Sequence, residues 1–198
     1  MNLKDLLKKF WQFLKKDTWQ SWITSLILLI IIIRFLVFPG LSFITGGPLP
    51  LVIVESCSMY HNSDFESWWI KEGAWYENKN ITKEEFSKYP LKNGLNKGDI
   101  LIVLGRTEIN KGDIIIFEAG SKYPLIHRVV SQNPTGTKGD NNPDQLKANN
   151  NIKDLDETSI ENSLILGEAK VKVVPLLGWI KLIFFEPLKE KRDRGLCK

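Results

Sequence analysis

The sequence predicts a mostly β protein that follows one membrane-spanning helix and carries a small inserted lobe. The first observation is an apolar run, residues 22–38, whose one charge is Arg34. The second is a series of short aliphatic and β-branched runs separated by Gly, Asn and Pro, which is typical of antiparallel sheets. The third is a stretch rich in Trp and Tyr, residues 62–94, whose composition differs from that of the runs around it.

Residues 22–38 are predicted to be an uncleaved membrane anchor. Their 17 residues are at the lower limit for crossing the hydrocarbon core as a helix. Arg34 is close enough to the end to carry its charge to the interface, and Pro39-Gly40 is predicted to end the helix. The alternatives are a buried helix of a soluble protein and a cleaved signal peptide. The latter is disfavoured because "PGLSFITGGPLP" lacks an Ala-x-Ala-type site and the preceding basic region is long.

Residues 1–21 are predicted to be a cytoplasmic, basic, amphipathic segment. The apolar residues of this segment recur at steps of three and four, which predicts a short helix on the membrane surface. Its five lysines precede the anchor, so the remainder of the chain is expected to be extracytoplasmic. Because positive charge is concentrated at the two ends of the chain, the folded body is not expected to bind nucleic acid.

Residues 48–181 are predicted to form the β domain, followed by a basic tail over 182–198. Its predicted strands share aliphatic cores bounded by turn residues. They are "PLVIVES", "GDILIVLG", "GDIIIFEAG", "LIHRVVS" and one or two strands in "SLILGEAKVKVVPLLGW". In the lobe, Thr82 and Glu85 predict a capping box, whereas the Asn-rich stretch 141–162 is expected to be an exposed loop. The apolar run before the tail is too short for a second span, so it is expected to dock on the core or the interface.

The chemistry is concentrated in "VESCSMYH", which places two serines and a cysteine directly after a predicted strand. A serine nucleophile needs a base, a group that orients the base, and donors for the oxyanion. Of the two histidines, His61 is interpreted as a polar loop residue and His127 as a strand residue. A strand histidine is more often structural than catalytic, but Asp140 follows in a turn-like segment that can return a carboxylate to His127.

Four motifs, "ESCSMYH", "KGDIIIF", "LIHRVV" and "TKGDNN", occur in that order after the anchor. Together they resemble type I signal peptidase, in the archaeal and endoplasmic-reticulum form that has a histidine where the bacterial enzymes have a lysine base. The resemblance covers roughly residues 22–181. It implies a twisted antiparallel β domain whose cleft lies at the outer membrane surface.

The resemblance also implies the roles of individual residues. Ser58 matches the nucleophile, His127 the general base and Asp140 the acid that supports it. Ser56 matches the hydroxyl that completes the oxyanion hole beside the Ser58 backbone N–H. Two further matches are supporting residues, namely Met59 and Arg128. A second acid is expected a little beyond Asp144, where this sequence is apolar, so Asp144 is only a candidate for that position.

The resemblance predicts a membrane-bound serine endopeptidase that removes signal peptides from translocated preproteins. It implies no metal or organic cofactor, and its expected partners are preproteins, the lipid bilayer and, as a further candidate, the translocation channel. It also implies a single-pass protein of the cell membrane, of archaeal origin.

Three alternatives stay open. Cys57 stands where the family has glycine, which allows a non-catalytic β binding module with a degenerate serine motif, or a hydrolase that uses the Cys57 thiol. A lysine-dyad protease would use Lys97, Lys111 or Lys138, but lysines in Gly-Asp turns are expected to be solvated. Cys57 and Cys197 lie far apart, and the sequence alone gives little reason to pair them.

Overall fold

The computed structural model describes residues 2–105, 108–120, 123–149 and 152–197. The side chains of residues 149, 152–154 and 192 are outside this description. The chain divides into two compact units, one before residue 45 and one from residue 45 onward.

The first unit is helical. Helix α1, Leu3–Leu14, leaves Leu3, Leu6, Leu7 and Phe10 exposed, which are residues of the predicted amphipathic pattern. Helix α2, Trp19–Ile32, begins where the Thr18 hydroxyl accepts a hydrogen bond from the Ser21 backbone N–H.

The apolar helix is longer than the sequence predicts. Helix α2 runs through a π turn, Ile33–Val37, into α3, Phe38–Thr45, which makes 27 continuous residues whose most apolar 18-residue window has a mean hydropathy of 2.6. Within the described residues it is the one helix long and apolar enough to cross a membrane. The prediction that Pro39-Gly40 ends the helix is therefore wrong. A π turn widens the backbone just before Pro39, which relieves the clash between a proline ring and the preceding turn.

The second unit is built on a six-stranded sheet in which all strand pairs are antiparallel. Its strands, in chain order, are β1 (Leu51–Ile53), β2 (Ile100–Leu104), β3 (Ile114–Phe117), β4 (Leu125–Gln132), β5 (Thr135–Lys138) and β8 (Ile165–Val174). Across the sheet they follow the order β1-β2-β8-β3-β4-β5. The predicted mostly β fold with antiparallel strands is confirmed.

A two-stranded sheet lies within the stretch that was expected to be an exposed loop. Strands β6, Lys147–Asn149, and β7, Ile152–Asp156, pair with each other. The prediction of a loop is wrong here because Leu155 and Ile160 are buried and anchor the otherwise polar segment to the core. Residues after β8 form helix α6, Trp179–Phe185, and two 3-10 turns, Glu186–Leu188 and Lys191–Asp193.

Strand β3 is buried on both faces, which explains why it is an uninterrupted apolar run. Ile114 and Ile116 belong to one core cluster, whereas Ile115 and Phe117 belong to another. Successive residues of a strand point to opposite faces, so each face of the sheet has its own core.

The inserted lobe packs against strand β4. It contains α4, Phe65–Glu77, and the short α5, Lys83–Phe86. The Thr82 hydroxyl accepts a hydrogen bond from the Glu85 backbone N–H at 3.2 Å, as the capping-box prediction requires. The aromatic side chains of the lobe form a buried cluster with Val130 of β4, namely Trp68, Trp69, Tyr76 and Phe86.

Candidate active site

The predicted nucleophile lies in a loop that follows β1 and is fastened to its neighbours. Hydrogen bonds join Val54 to the turn before β2, from Val54 N–H to Asp99 O at 2.9 Å and from Gly98 N–H to Val54 O at 2.8 Å. The Met59 side chain is buried in the core and Ser58 stays partly exposed. The Oγ atoms of Ser56 and Ser58 lie 3.1 Å apart, within hydrogen-bond distance of each other.

The "GDNN" segment holds the Ser58 loop from the other side. The Asn141 backbone N–H donates to Ser58 O at 2.7 Å, and the Asn141 side-chain amide donates to Cys57 O at 3.1 Å. The Asp140 backbone N–H points at the Met59 sulfur, 3.4 Å away. Two predicted motifs distant in sequence are thereby joined in one structure.

Gly139 shows how close the serine loop comes to His127. A Cβ atom at position 139 would lie 2.8 Å from Ser58 O and 2.9 Å from His127 Nε2. These two atoms are therefore separated by no more than the sum of those two distances. Any larger residue at 139 would overlap both, so glycine is what permits the approach.

His127 lies on β4 directly opposite Ile115 of β3, and its side chain shares that face of the sheet. The ring is buried and packs edge-on against Phe117, with centroids 6.2 Å apart. Its Nδ1 atom forms a hydrogen bond with Oε1 of Glu157, a residue directly after β7 whose side chain is completely buried. The Nε2 atom is left on the side of Gly139 and the serine loop.

Asp140 is buried on the other side of β4. Its carboxylate accepts hydrogen bonds from Arg128 Nη2 at 2.8 Å and from the Tyr76 hydroxyl at 3.0 Å, and its Oδ2 pairs with His61 Nε2 at 3.0 Å. Burial opposes ionisation of Asp140, but the Arg128 guanidinium and the His61 hydrogen bond outweigh it and hold the carboxyl pKa well below its usual range.

The sequence-based placement of Asp140 beside His127 differs from the structure, where Glu157 makes that contact. The reason is the alternation of side chains along β4. Arg128 and His127 are neighbours in the chain, so their side chains point to opposite faces of the sheet. Asp140 forms an ion pair with Arg128 and therefore lies on the face away from His127. His61 also differs from its interpretation as a polar loop residue, since its ring is buried and stacks on Trp68 with centroids 3.7 Å apart.

Asp144, the candidate second acid, lies on an exposed turn. Its Oδ1 accepts hydrogen bonds from the Trp75 indole N–H at 2.9 Å and from the Gln145 backbone N–H at 2.8 Å. The Gln145 N–H and the Trp75 indole lower the pKa of the Asp144 carboxyl. The structure thus joins Asp144 to the aromatic lobe and not to His127.

Two of the three lysines that were expected to be solvated are buried. Lys97 donates to Glu186 Oε2 at 2.8 Å, and Lys138 lies 5.0 Å from the ring centres of Trp75 and Tyr76. Burial lowers the pKa of the Lys138 ammonium. Lys138 is opposite Arg128 in the register of β4 and β5, on the face that His127 does not share. This arrangement gives the lysine-dyad alternative no support.

Cys57 and Cys197 form a disulfide, with their Cα atoms 5.5 Å apart. This pairing was not predicted from the sequence because 140 residues separate the two cysteines. A cysteine nucleophile acts as a thiolate, so Cys57 in its disulfide cannot serve the thiol-hydrolase alternative.

Of the predicted site residues, the structure places Ser56, Ser58 and His127 in one region. It also places Glu157 there, which the sequence analysis did not identify. A signal for Glu157 exists in the alternation of β7. Leu155 is apolar and buried, and a residue two positions later falls on the same face of a strand. The polar, Asn-rich surroundings concealed that pattern.

No family model matches the chain. It is similar to several proteins named signal peptidase complex catalytic subunit SEC11. The relative from Colletotrichum graminicola is 26% identical over 168 residues, which are 80% of this chain and 77% of the relative. Those from Fusarium vanettenii and Lachancea thermotolerans are 26% and 27% identical and cover 80% and 75% of this chain, and 77% and 73% of their own lengths. All three organisms are fungi, so an archaeal origin gains no support and stays a prediction.

Proposed function

We propose that the chain is a membrane-bound type I signal peptidase that cleaves signal peptides from translocated preproteins with Ser58 as its nucleophile. The similarity to SEC11 catalytic subunits supports the activity. The assignment to this site depends on one observation at Gly139. The Ser58 carbonyl oxygen and His127 Nε2 lie so close to this glycine that a Cβ atom at position 139 would overlap both.

The reaction follows from this arrangement. Ser58 Oγ attacks the scissile carbonyl while His127 Nε2 takes its proton and then gives that proton to the leaving amine. The developing oxyanion is bound by the Ser58 backbone N–H and the Ser56 hydroxyl, which already lies 3.1 Å from Ser58 Oγ. Water then hydrolyses the acyl-enzyme, with His127 acting as base and acid a second time.

The position of β1 supports the proposed mode of substrate binding. In the described sheet β1 stands at one end of the strand order, and it leads directly into the serine loop. An extended peptide can add to such an edge through backbone hydrogen bonds, with alternate side chains entering pockets. The segment Val52–Glu55 would then align the residues before the cleavage site, and small side chains would be selected at −1 and −3.

The helix Trp19–Thr45 would anchor the enzyme in the cell membrane with its N-terminus in the cytoplasm. Confining enzyme and preprotein to one surface raises their effective concentration. The named relatives are subunits of a signal peptidase complex, so the translocation channel and further subunits are candidate partners of this chain as well.

The test of the substrate class is a pair of preproteins inserted into vesicles that hold the full-length chain. The first has a native cleavage site with Ala at −1, and the second differs only by Trp at −1. We expect one cut, at the signal-peptide junction, in the first preprotein and none in the second. Cleavage of neither preprotein would favour the non-catalytic binding module, and equal cleavage of both would refute selection of small side chains.

A further inference from the structure

We propose that Glu157 is the acid that positions His127, and that Asp140 has a structural role on the opposite face of the sheet. This inference rests on the proposed function and specifies how its base is held. It changes the expected set of three residues from Ser58, His127 and Asp140 to Ser58, His127 and Glu157.

His127 presents one ring nitrogen to Glu157 and the other to the serine loop. Its Nδ1 hydrogen bonds to Glu157 Oε1, while its Nε2 faces Gly139 and the serine loop. A histidine that acts as the general base for a serine needs one ring nitrogen hydrogen-bonded to an acid and the other able to accept the serine proton. Both side chains are about fully buried, 1% exposed for His127 and 0% for Glu157.

The Glu157 carboxylate is held in place by hydrogen bonds to both of its oxygens. Its Oε1 accepts a hydrogen bond from the Thr137 hydroxyl at 2.8 Å, and its Oε2 accepts one from the Leu146 backbone N–H at 2.6 Å. The backbone is fixed as well, since Glu157 N–H donates to Leu146 O at 3.0 Å and Glu157 O accepts from Thr137 N–H at 2.8 Å. An acid so constrained can orient the imidazole ring.

The two buried carboxylates, Asp140 and Glu157, differ in their charged partners. A buried carboxylate is costly unless it is paired. Asp140 already pairs with Arg128, whose Nε and Nη2 both donate to it, whereas the ion-pair partner that the described part of the chain offers Glu157 is His127. Glu157 is therefore the acid whose charge is available to stabilise an imidazolium formed during the reaction.

In the proposed mechanism His127 starts neutral, with its proton on Nδ1 donated to Glu157 and its Nε2 lone pair on the side of Gly139 and the serine loop. Attack by Ser58 moves the hydroxyl proton to Nε2 and makes an imidazolium, while Glu157 stays ionised throughout. Protonation of the leaving amine from Nε2 restores the neutral ring.

The test is Glu157→Gln, which keeps the shape of the side chain and removes the charge. Because the Leu146 N–H requires an acceptor, the amide oxygen should face it and the amide NH₂ should face His127 Nδ1. That donor would force the imidazole proton onto Nε2, where it blocks the base. We expect kcat to fall on the order of 10²–10⁴-fold with KM nearly unchanged, and Glu157→Asp to recover part of the loss.

Asp156→Asn is the matched control. Asp156 is the adjacent carboxylate, exposed and bonded to Thr158, so its variant should cleave as the wild type does. The second readout is the ¹⁵N NMR spectrum of histidine-labelled full-length protein, in which His127→Ala identifies the His127 signals. It should show the proton on Nδ1 in the wild type and on Nε2 in Glu157→Gln.

The outcomes separate the two proposals. If the wild type cleaves preprotein and Glu157→Gln cleaves within about threefold of it, the role of Glu157 is refuted and the peptidase assignment stands. If the wild type does not cleave, the proposed function fails, and the NMR spectra still decide whether Glu157 sets the tautomer of His127. An unchanged tautomer in Glu157→Gln would overturn the inference.

Discussion

Gly139→Ala is the sharpest perturbation of the proposed site because it adds one methyl group between the serine loop and the base. The new Cβ would lie 2.8 Å from Ser58 O, 2.9 Å from His127 Nε2 and 2.7 Å from Asn142 Nδ2. Ordinary contact begins at 3.4 Å, so the serine loop and the imidazole would each have to recede by about half an ångström. A misplacement of this kind costs roughly 10–10²-fold in rate, and the overpacking costs about 1–3 kcal/mol of stability.

The assay is single-turnover cleavage of the preprotein by full-length enzyme in vesicles, with urea unfolding followed by Trp fluorescence. The double variant Gly139→Ala/Asn142→Ala is the matched control, because it removes the flexible neighbour and leaves Ser58 O and His127 in place. We expect the double variant to cleave as slowly as Gly139→Ala. Wild-type cleavage by Gly139→Ala would refute the close approach of the serine loop and His127, and full rescue by Asn142→Ala would show that the amide alone causes the loss.

Two further predictions concern stability. Asp140→Asn leaves the Arg128 guanidinium buried without its counter-charge and should cost about 3–5 kcal/mol in urea unfolding at pH 7. Because the folded-state pKa of the Asp140 carboxyl is depressed, the wild type should keep this contribution above about pH 4 and lose it as pH falls further, so the difference between the proteins should shrink in acid; a difference that is constant from pH 7 to pH 2 contradicts this. Cys197→Ser opens a loop closed across 140 residues and should lower the free energy of unfolding by up to about 5 kcal/mol, as should a thiol reductant acting on the wild type; equal unfolding curves with and without reductant would show that the disulfide does not stabilise the domain.

The antiparallel strands could be predicted because their signals are local, whereas the roles of Ser58 and His127 were implied by the resemblance of four motifs to one family and stay predictions. The run "GDIIIF" is apolar on both faces of β3, and the Gly-Asp turns mark where the strands begin. The capping box at Thr82 is a signal of four residues and is formed as expected. Such features depend on neighbours in the chain, so the sequence displays them directly.

The features that escaped prediction depend on which face a side chain takes or on distant pairing. Asp140 comes just after β5, and only the register of β4 and β5 places it on the Arg128 side of the sheet. Glu157 reaches His127 from a hairpin whose polar composition resembles a loop. The disulfide Cys57–Cys197 joins two residues whose spacing in the sequence does not indicate a pairing. The π turn before Pro39 lets the helix continue where the proline was expected to end it.

The most direct test of the central claim is cleavage of a vesicle-inserted preprotein by the wild type and by Ser58→Ala, with the new N-terminus identified by mass spectrometry. Ser58 is partly exposed, and the Asn141 backbone N–H donates to its carbonyl oxygen and not to its hydroxyl, so the variant should fold as the wild type does. We predict a mature N-terminus at the signal-peptide junction from the wild type and no product from Ser58→Ala, whose unfolding curve should match that of the wild type. Cleavage by Ser58→Ala at the wild-type rate would contradict the assignment of Ser58 as the nucleophile.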